Sequence, residues 1–202
     1  MLKKWLTTVL LIIITLLLVT IAYLLYSNHN NINTSRSTDS SFDTSSSSKS
    51  SSNDDDLLSL AKIRSIFYKR YPNTAITSIE LEKNLLSTHY DITGVDDNTE
   101  YTLKIHADTG KVITHNKEQL DADEKNGTAK NNEAIAFDNI ISLDSAVNKA
   151  KDAAGDGSLN GWSLEKDDGR TYWEISLKDG NNNVAVKLDA NSGQVIEKDE
   201  DD

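Results

Sequence analysis

An internal repeat constrains this chain more than any other feature. Shifting the numbering by 83 lays Leu81-Glu82-Lys83 on Leu164-Glu165-Lys166, Tyr90 on Trp173 and Ile92 on Ile175, without a gap. Tyr101, Leu103 and Ile105 fall on Val184, Val186 and Leu188 at the same shift. Ala107, Gly110 and Val112-Ile113 fall on Ala190, Gly193 and Val195-Ile196, and upstream Leu60 falls on Leu143. Two units result, 57–117 and 140–200, separated by a polar linker at 118–139. Two copies of so long a period indicate a duplicated small domain rather than a solenoid. Whatever one unit folds into, the other must fold into as well.

Each unit opens on a helix. In the second, Ser142 is placed as N-cap and Asp144 in the first turn, where the helix dipole favours an acid. Leu143, Ala146, Val147, Ala150 and Ala154 then form one apolar stripe, and Gly155 stops the helix. In the first, Asp54–Asp56 are read as the cap, with Leu57, Leu60, Ile63 or Arg64, Phe67 and Tyr71 as the stripe and Pro72 as the stop. Four short strands follow in each unit. Trp173, Ile175 and Leu177 alternate with Tyr172, Glu174 and Ser176, and Val184, Val186, Leu188 and Ala190 alternate with Ala185, Lys187 and Asp189. That period of two gives each strand one buried and one wet face. Turns fall at Asp167-Asp168-Gly169, Asp179-Gly180-Asn181 and Asn191-Ser192-Gly193. The fold class read from this pattern is α+β: two tandem small domains, each one helix packed on an antiparallel four-stranded meander.

The N-terminal third has different physics. Residues 5–26, Trp5 to Tyr26, contain no charged side chain, and as a helix they would span about 33 Å, enough for a hydrocarbon core of about 30 Å. Lys3 and Lys4 precede this run, so residues 1–4 are expected in the cytoplasm and the remainder outside the cell membrane. A cleaved secretory signal is the alternative, but its apolar core would be about 7–15 residues long; either way the body is exported. Residues 27–56 hold 12 serines and little apolar surface, so they read as a disordered tether between anchor and body.

Charge and composition narrow the function. The net charge is −11, and the body is more acidic than that, because the apolar head contributes two lysines and no acid. Without a basic stripe the body does not bind nucleic acid. The absence of cysteine excludes disulfides, thiolate metal sites, cysteine nucleophiles and a lipidated cysteine. The run Glu197–Asp202 reads as a frayed acidic tail.

Several motifs taken together resemble the PepSY domain. They are the N-terminal helix, the strand carrying Leu-Glu-Lys, and the aromatic-x-Ile strands Tyr90-Asp91-Ile92 and Trp173-Glu174-Ile175. To these are added Ala-Asp-Thr-Gly-Lys-Val-Ile at 107–113 and Ala-Asn-Ser-Gly-Gln-Val-Ile at 190–196. The likeness covers nearly all of the body and is better in the second unit. The first departs at Gly94, whose counterpart is Leu177, and its helix is bulkier. The resemblance implies a small α+β binding module of exported and membrane-anchored bacterial proteins and protease propeptides, associated with the restraint of peptidases. It carries over no catalytic or ligand residues.

The residues themselves name little chemistry. His29 lies in the tether, and His89, His106 and His115 lie on or beside first-unit strands without helical ligand spacing; no metal site and no cofactor are assigned to them. His106, opposite inward Ile105, is expected in solvent. Asp156, Ser158, Asn160 and Gly161, with Asp167, match positions 1, 3, 5, 6 and 12 of a calcium loop. Against this, Ser163 replaces the aliphatic residue at position 8 and a strand follows, so a helix-to-strand loop is the preferred reading. Trp162 and Tyr172 are the candidate partner-binding residues, whereas Trp173 is assigned to the core. The expected function is a membrane-anchored extracellular binding module without catalysis, restraining or regulating an exported peptidase or cell-wall enzyme. Its alternatives are an envelope ligand or calcium sensor and, behind that, a hydrolase using Glu82 and Glu165. Duplication explains those two carboxylates more simply than a catalytic pair does.

Overall fold

A computed structural model describes residues 57–83, 87–180 and 182–201. The expected membrane helix at 5–26 and the tether at 27–56 lie outside the described residues. Among the described residues no helix is long and apolar enough to cross a membrane. The described chain is α+β, with a large antiparallel sheet and a few helices. Helix α1 spans Leu60–Arg70, followed by β1 (Ala75–Lys83), β2 (Thr88–Val95), β3 (Thr99–His106) and β4 (Val112–Gln119). A connection carries α2 (Thr128–Glu133) and a 3-10 turn (Phe137–Asn139). Then come α3 (Leu143–Ala154), β5 (Ser158–Asp167), β6 (Arg170–Asp179), β7 (Asn182–Asp189) and β8 (Val195–Asp201).

The two meanders form one eight-stranded sheet, in the order β4-β3-β2-β1-β5-β6-β7-β8. The seam is the antiparallel pair β1–β5, in which Glu80 faces Ser163, Ile79 faces Leu164 and Leu81 faces Trp162. At the offset of 83, Ser163 is the counterpart of Glu80, and Leu164 and Trp162 are the counterparts of Leu81 and Ile79. The seam is therefore self-complementary about a pseudo-twofold axis through Glu80 and Ser163, as in an isologous dimer joined by one chain. Even the irregularities repeat: β1 bulges between Ile76 and Ser78, and β5 bulges between Leu159 and Gly161. Each bulge inserts one residue, Thr77 or Asn160, and so keeps both Ile76 and Leu159 on the helix side.

One core runs across both units. Ile79, Leu81, Tyr90, Ile92, Leu103 and Ile105 of the first unit pack in the same cluster as Trp162, Leu164, Trp173, Ile175, Val186 and Leu188 of the second. Trp162 joins them, with ring centroids 5.7 Å from Tyr90 and 5.3 Å from Trp173. The polar ends of the two equivalent aromatics find equivalent partners. Tyr90 Oη donates to the Leu58 carbonyl at 3.1 Å, and Trp173 Nε1 donates to the Ile141 carbonyl at 3.3 Å. These bonds fix the chain entering each helix, and the N–H groups of the same two residues repeat the pattern: Leu58 N–H donates to Ala107 O and Ile141 N–H to Ala190 O, both at 2.8 Å.

The helix-to-sheet slot is filled differently in the two halves. In the first, Phe67 of α1 lies over Gly94, where an added Cβ would stand 2.8 Å from the ring and 2.7 Å from the Ala75 carbonyl oxygen. In the second, the counterparts are Ala150 on α3 and Leu177 on β6, both buried. Large-on-small becomes small-on-large, which conserves volume. This accounts for the departure of Gly94 from the pattern and for the bulk of α1.

Three local expectations change. The cap of α1 is Ser59, whose side chain accepts from Lys62 N–H, rather than Asp54–Asp56. It is the counterpart of Ser142, which caps α3 as expected by accepting from Ser145 N–H at 3.2 Å. The acidic run after Ile196 is not frayed: β8 extends to Asp201 and pairs with β7 from Asn183 to Leu188. Backbone pairing outweighs the repulsion of exposed like charges in water. The 118–139 connection is ordered and partly apolar. Leu120 and Ala129 form a small cluster with Val95 on the outer face, Ile135 N–H donates to Ile76 O, and the Arg64 guanidinium stacks 3.8 Å over Phe137.

Candidate functional site

Alternation places the polar residues of β1–β3 and β5–β7 together on the face away from α1 and α3. Strand register aligns one row across the whole sheet: Thr114, Lys104, Asp91, Glu80, Ser163, Glu174, Lys187 and Glu197. The positions are symmetric about the seam, with Lys104 and Lys187 flanking Asp91 and Glu174, but the central pair is Glu80 opposite Ser163. Asp91 and Glu80 stand directly opposite on neighbouring strands, a like-charge pairing that is destabilising in itself. The Glu80 carboxyl is accordingly held above the ordinary carboxylate range, first by desolvation on the sheet and then by Glu82, Asp91 and Glu174, with Lys104 opposing.

A shallow groove of about 270 Å³ lies over this seam, bordered by Glu80, Glu82, Lys83, Asn160, Gly161 and Glu174 among others. Its floor depends on Gly161, where a Cβ would stand 2.9 Å from the Leu81 carbonyl oxygen. Beside the groove a tight polar cluster forms on the first unit. His89 Nε2 lies 2.8 Å from Glu82 Oε2 and 3.4 Å from Asp91 Oδ2. Lys104 Nζ lies 2.9 Å from Asp91 Oδ2 and 3.0 Å from His89 Nε2. The counterparts in the second unit are Glu165, Tyr172, Glu174 and Lys187. There the Lys187 ammonium sits 4.6 Å over the Tyr172 ring and 3.9 Å from Glu165.

The candidate residues separate cleanly. Tyr172 is half-buried on the outer face, where a partner can reach it. Trp162 is 4% exposed and packs between Tyr90 and Trp173 in the joint core, so it is a core residue and not a surface anchor. Trp173 is wholly buried. His106 is half-buried on the outer face, opposite His89. Ser158, Asn160 and Asp167 are strung along β5, which runs from Ser158 to Asp167, with Asp156 just before it. An extended strand rises about 3.3 Å per residue, so its two ends are separated by far more than one ion can bridge. Glu82 and Glu165 lie on either side of the seam, one in each unit's polar cluster. The His89 cluster is the feature that sequence reading missed. Its signal was the period-two pair His89 and Asp91, but Glu82 joins them only through strand register.

A family model described as "Peptidase propeptide and YPEB domain", PepSY, matches residues 57–116 and 140–199. Among solved structures, a candidate lipoprotein from Clostridium difficile 630 is 30% identical, with a TM-score of 0.67 over 74% of this chain and 97% of that one. The Bacillus megaterium YpeB C-terminal domain is 14% identical over 73% of this chain and 69% of that one. Its TM-score of 0.28 carries no structural argument. No match was found among curated proteins.

Proposed function

The chain belongs to the PepSY family, and from that premise we propose that it is a membrane-anchored, extracellular binding module that restrains or regulates an exported peptidase or cell-wall enzyme. PepSY domains are in general non-catalytic propeptide or regulatory modules. Residues 5–26 provide the anchor in this reading, 27–56 the tether, and the sheet the binding surface.

One observation supports it above the others: the sheet ends in an uncovered edge at β4, all eight of whose residues are exposed. An edge strand offers a row of backbone donors and acceptors to which an extended segment of another protein can add. The two edges are not equivalent. β8 carries Glu197, Asp199, Glu200 and Asp201 against the single Lys198, a charge run that discourages pairing. β4 carries only Lys117 and Glu118 besides His115, and it begins with exposed Val112 and Ile113. The partner segment is therefore assigned to β4, with Tyr172 on the outer face as a secondary contact.

The test uses the full chain in detergent micelles, mixed with peptidases purified from the envelope of the same cells. Expected is inhibition of one peptidase together with slowed amide exchange confined to β4, both lost when His115 and Lys117, whose N–H groups point away from β3, are replaced by Pro. Hydrolysis by the chain alone, or inhibition that the β4 variant leaves intact, would overturn the reading.

A further inference from the structure

We propose that Glu82, His89 and Asp91 form a three-ligand site for a divalent transition-metal ion of the zinc type, which enters by displacing the Lys104 ammonium. The site follows from strand register. His89 and Asp91 are two residues apart on β2 and share its outer face, and Glu82 is the cross-strand partner of His89. One nitrogen and two carboxylate oxygens thereby come within 4.8 Å of one another. A tetrahedral zinc ion holding such ligands at about 2.0–2.2 Å separates them by about 3.3–3.6 Å. Of the two distances from His89 Nε2, the 3.4 Å to Asp91 already lies in that range and the 2.8 Å to Glu82 falls about half an ångström short of it.

The present contacts of His89 cannot all be favourable. Its Nε2 faces a carboxylate oxygen at 2.8 Å and an ammonium at 3.0 Å. A protonated Nε2 donates to Glu82 but turns its N–H on Lys104. A bare Nε2 accepts from Lys104 but turns its lone pair on Glu82. Water cannot relax this conflict, because His89 is 4% exposed. A metal ion satisfies the bare nitrogen and both carboxylates together, and it offsets the like-charge pairing of Asp91 with Glu80. Lys104 can leave readily, since its side chain is one-third exposed and flexible. The nitrogen ligand and the small ligand number favour zinc over calcium or magnesium, which take six or more oxygens. A fourth position stays open to water or to a group from another molecule. The second unit lacks the site, because Tyr172 stands where the first unit has His89.

The test is calorimetric titration of the full chain in detergent micelles with Zn²⁺, with thermal melts alongside. One equivalent is expected to bind and to raise the melting temperature. His89→Ala weakens binding by about 100-fold or more, since even outer-shell partners are worth about 10–100-fold. Lys104→Met tightens it by about tenfold, because a competing cation is lost. Tyr172→His adds a second equivalent. No binding up to millimolar Zn²⁺, or binding that His89→Ala leaves unchanged, overturns the site and assigns any residual affinity to other histidines. Should circular dichroism show that His89→Ala does not fold, Glu82→Gln and Lys104→Met decide. Weaker binding in the first and tighter binding in the second support the site; unchanged affinity in both dismisses it.

Discussion

The two halves of the sheet agree wherever the backbone is fixed and differ wherever only volume or charge is required. Their N-caps, aromatic hydrogen bonds, bulges and Gly110 and Gly193 turns coincide at an offset of 83. Both glycines hold φ of 70°, which a side chain rarely adopts. In contrast, the slot under the helix is filled by Phe67 over Gly94 in one half and by Ala150 over Leu177 in the other. The outer cluster carries His89 in one half and Tyr172 in the other. A fold is held by its hydrogen-bonded corners, while the filling between them drifts as long as volume is conserved. A duplicated functional face is freer still, and there the two copies have acquired different chemistry.

The sharpest break of the comparison is at the seam. Trp162→Ala is expected to cost about 3–5 kcal/mol, as for other buried aromatics, and both halves should still melt in one transition because they share one core. Calorimetry that resolves two transitions would show the units to be independent. Next is the swapped slot. Gly94→Ala is expected to cost about 1–3 kcal/mol by overpacking. Phe67→Leu in the same chain should recover part of that, whereas adding Phe67→Leu to Ala150→Gly should recover none. Denaturant melts of the single and double variants measure the coupling, and additivity within the Phe67–Gly94 pair would sink the explanation. Ser59→Ala and Ser142→Ala should each cost about 1 kcal/mol. The second should cost more, because the Ser142 bond is 3.2 Å against 3.4 Å for Ser59.

The smallest expected effect concerns pH. In the first unit the carboxyls of Glu80 and Glu100 are raised, Glu80 by desolvation and then Glu82, Glu100 by desolvation and then Glu118. Their favourable contribution is complete below the ordinary Glu value of about 4.3 and is lost as pH rises through the raised values. Asp108 and Asp189 run the other way. They are lowered by the N–H groups of Thr109 and Ser192 respectively, so their contribution is present above about 3.9 and is lost as pH falls through the lowered values. Melting temperature should therefore rise slightly on mild acidification before falling in stronger acid. Replacing both glutamates with Gln should remove most of that rise, which is no more than about 2 °C for groups this exposed. An undiminished rise in the double variant would assign it to other groups.

The sequence shows the repeat, the helix-then-four-strands order, the Ser142 cap, the Gly155 stop and the inward alternation, because each is a local pattern of period 3.6 or 2. The Ser59 cap was recoverable too, since the offset from Ser142 points to it, but three aspartates nearby offered a stronger local signal. Trp162 shares a strand face with Leu164, so alternation alone puts it on the core side, against the surface reading that its residue type invites.

What the sequence determines by itself is each unit, since turns, caps and face alternation depend on neighbours a few residues apart. Only the tertiary structure decides that β1 pairs with β5. That pairing involves residues about eighty positions apart in sequence, whose register leaves no local trace. From it follow the joint core, which relieves two units of about 60 residues of the thin margin such size imposes, and the acidic row across the seam. The same holds within the first unit for the meeting of Glu82 with His89 and Asp91. Alternation fixes which face a side chain takes, but register fixes what it meets there.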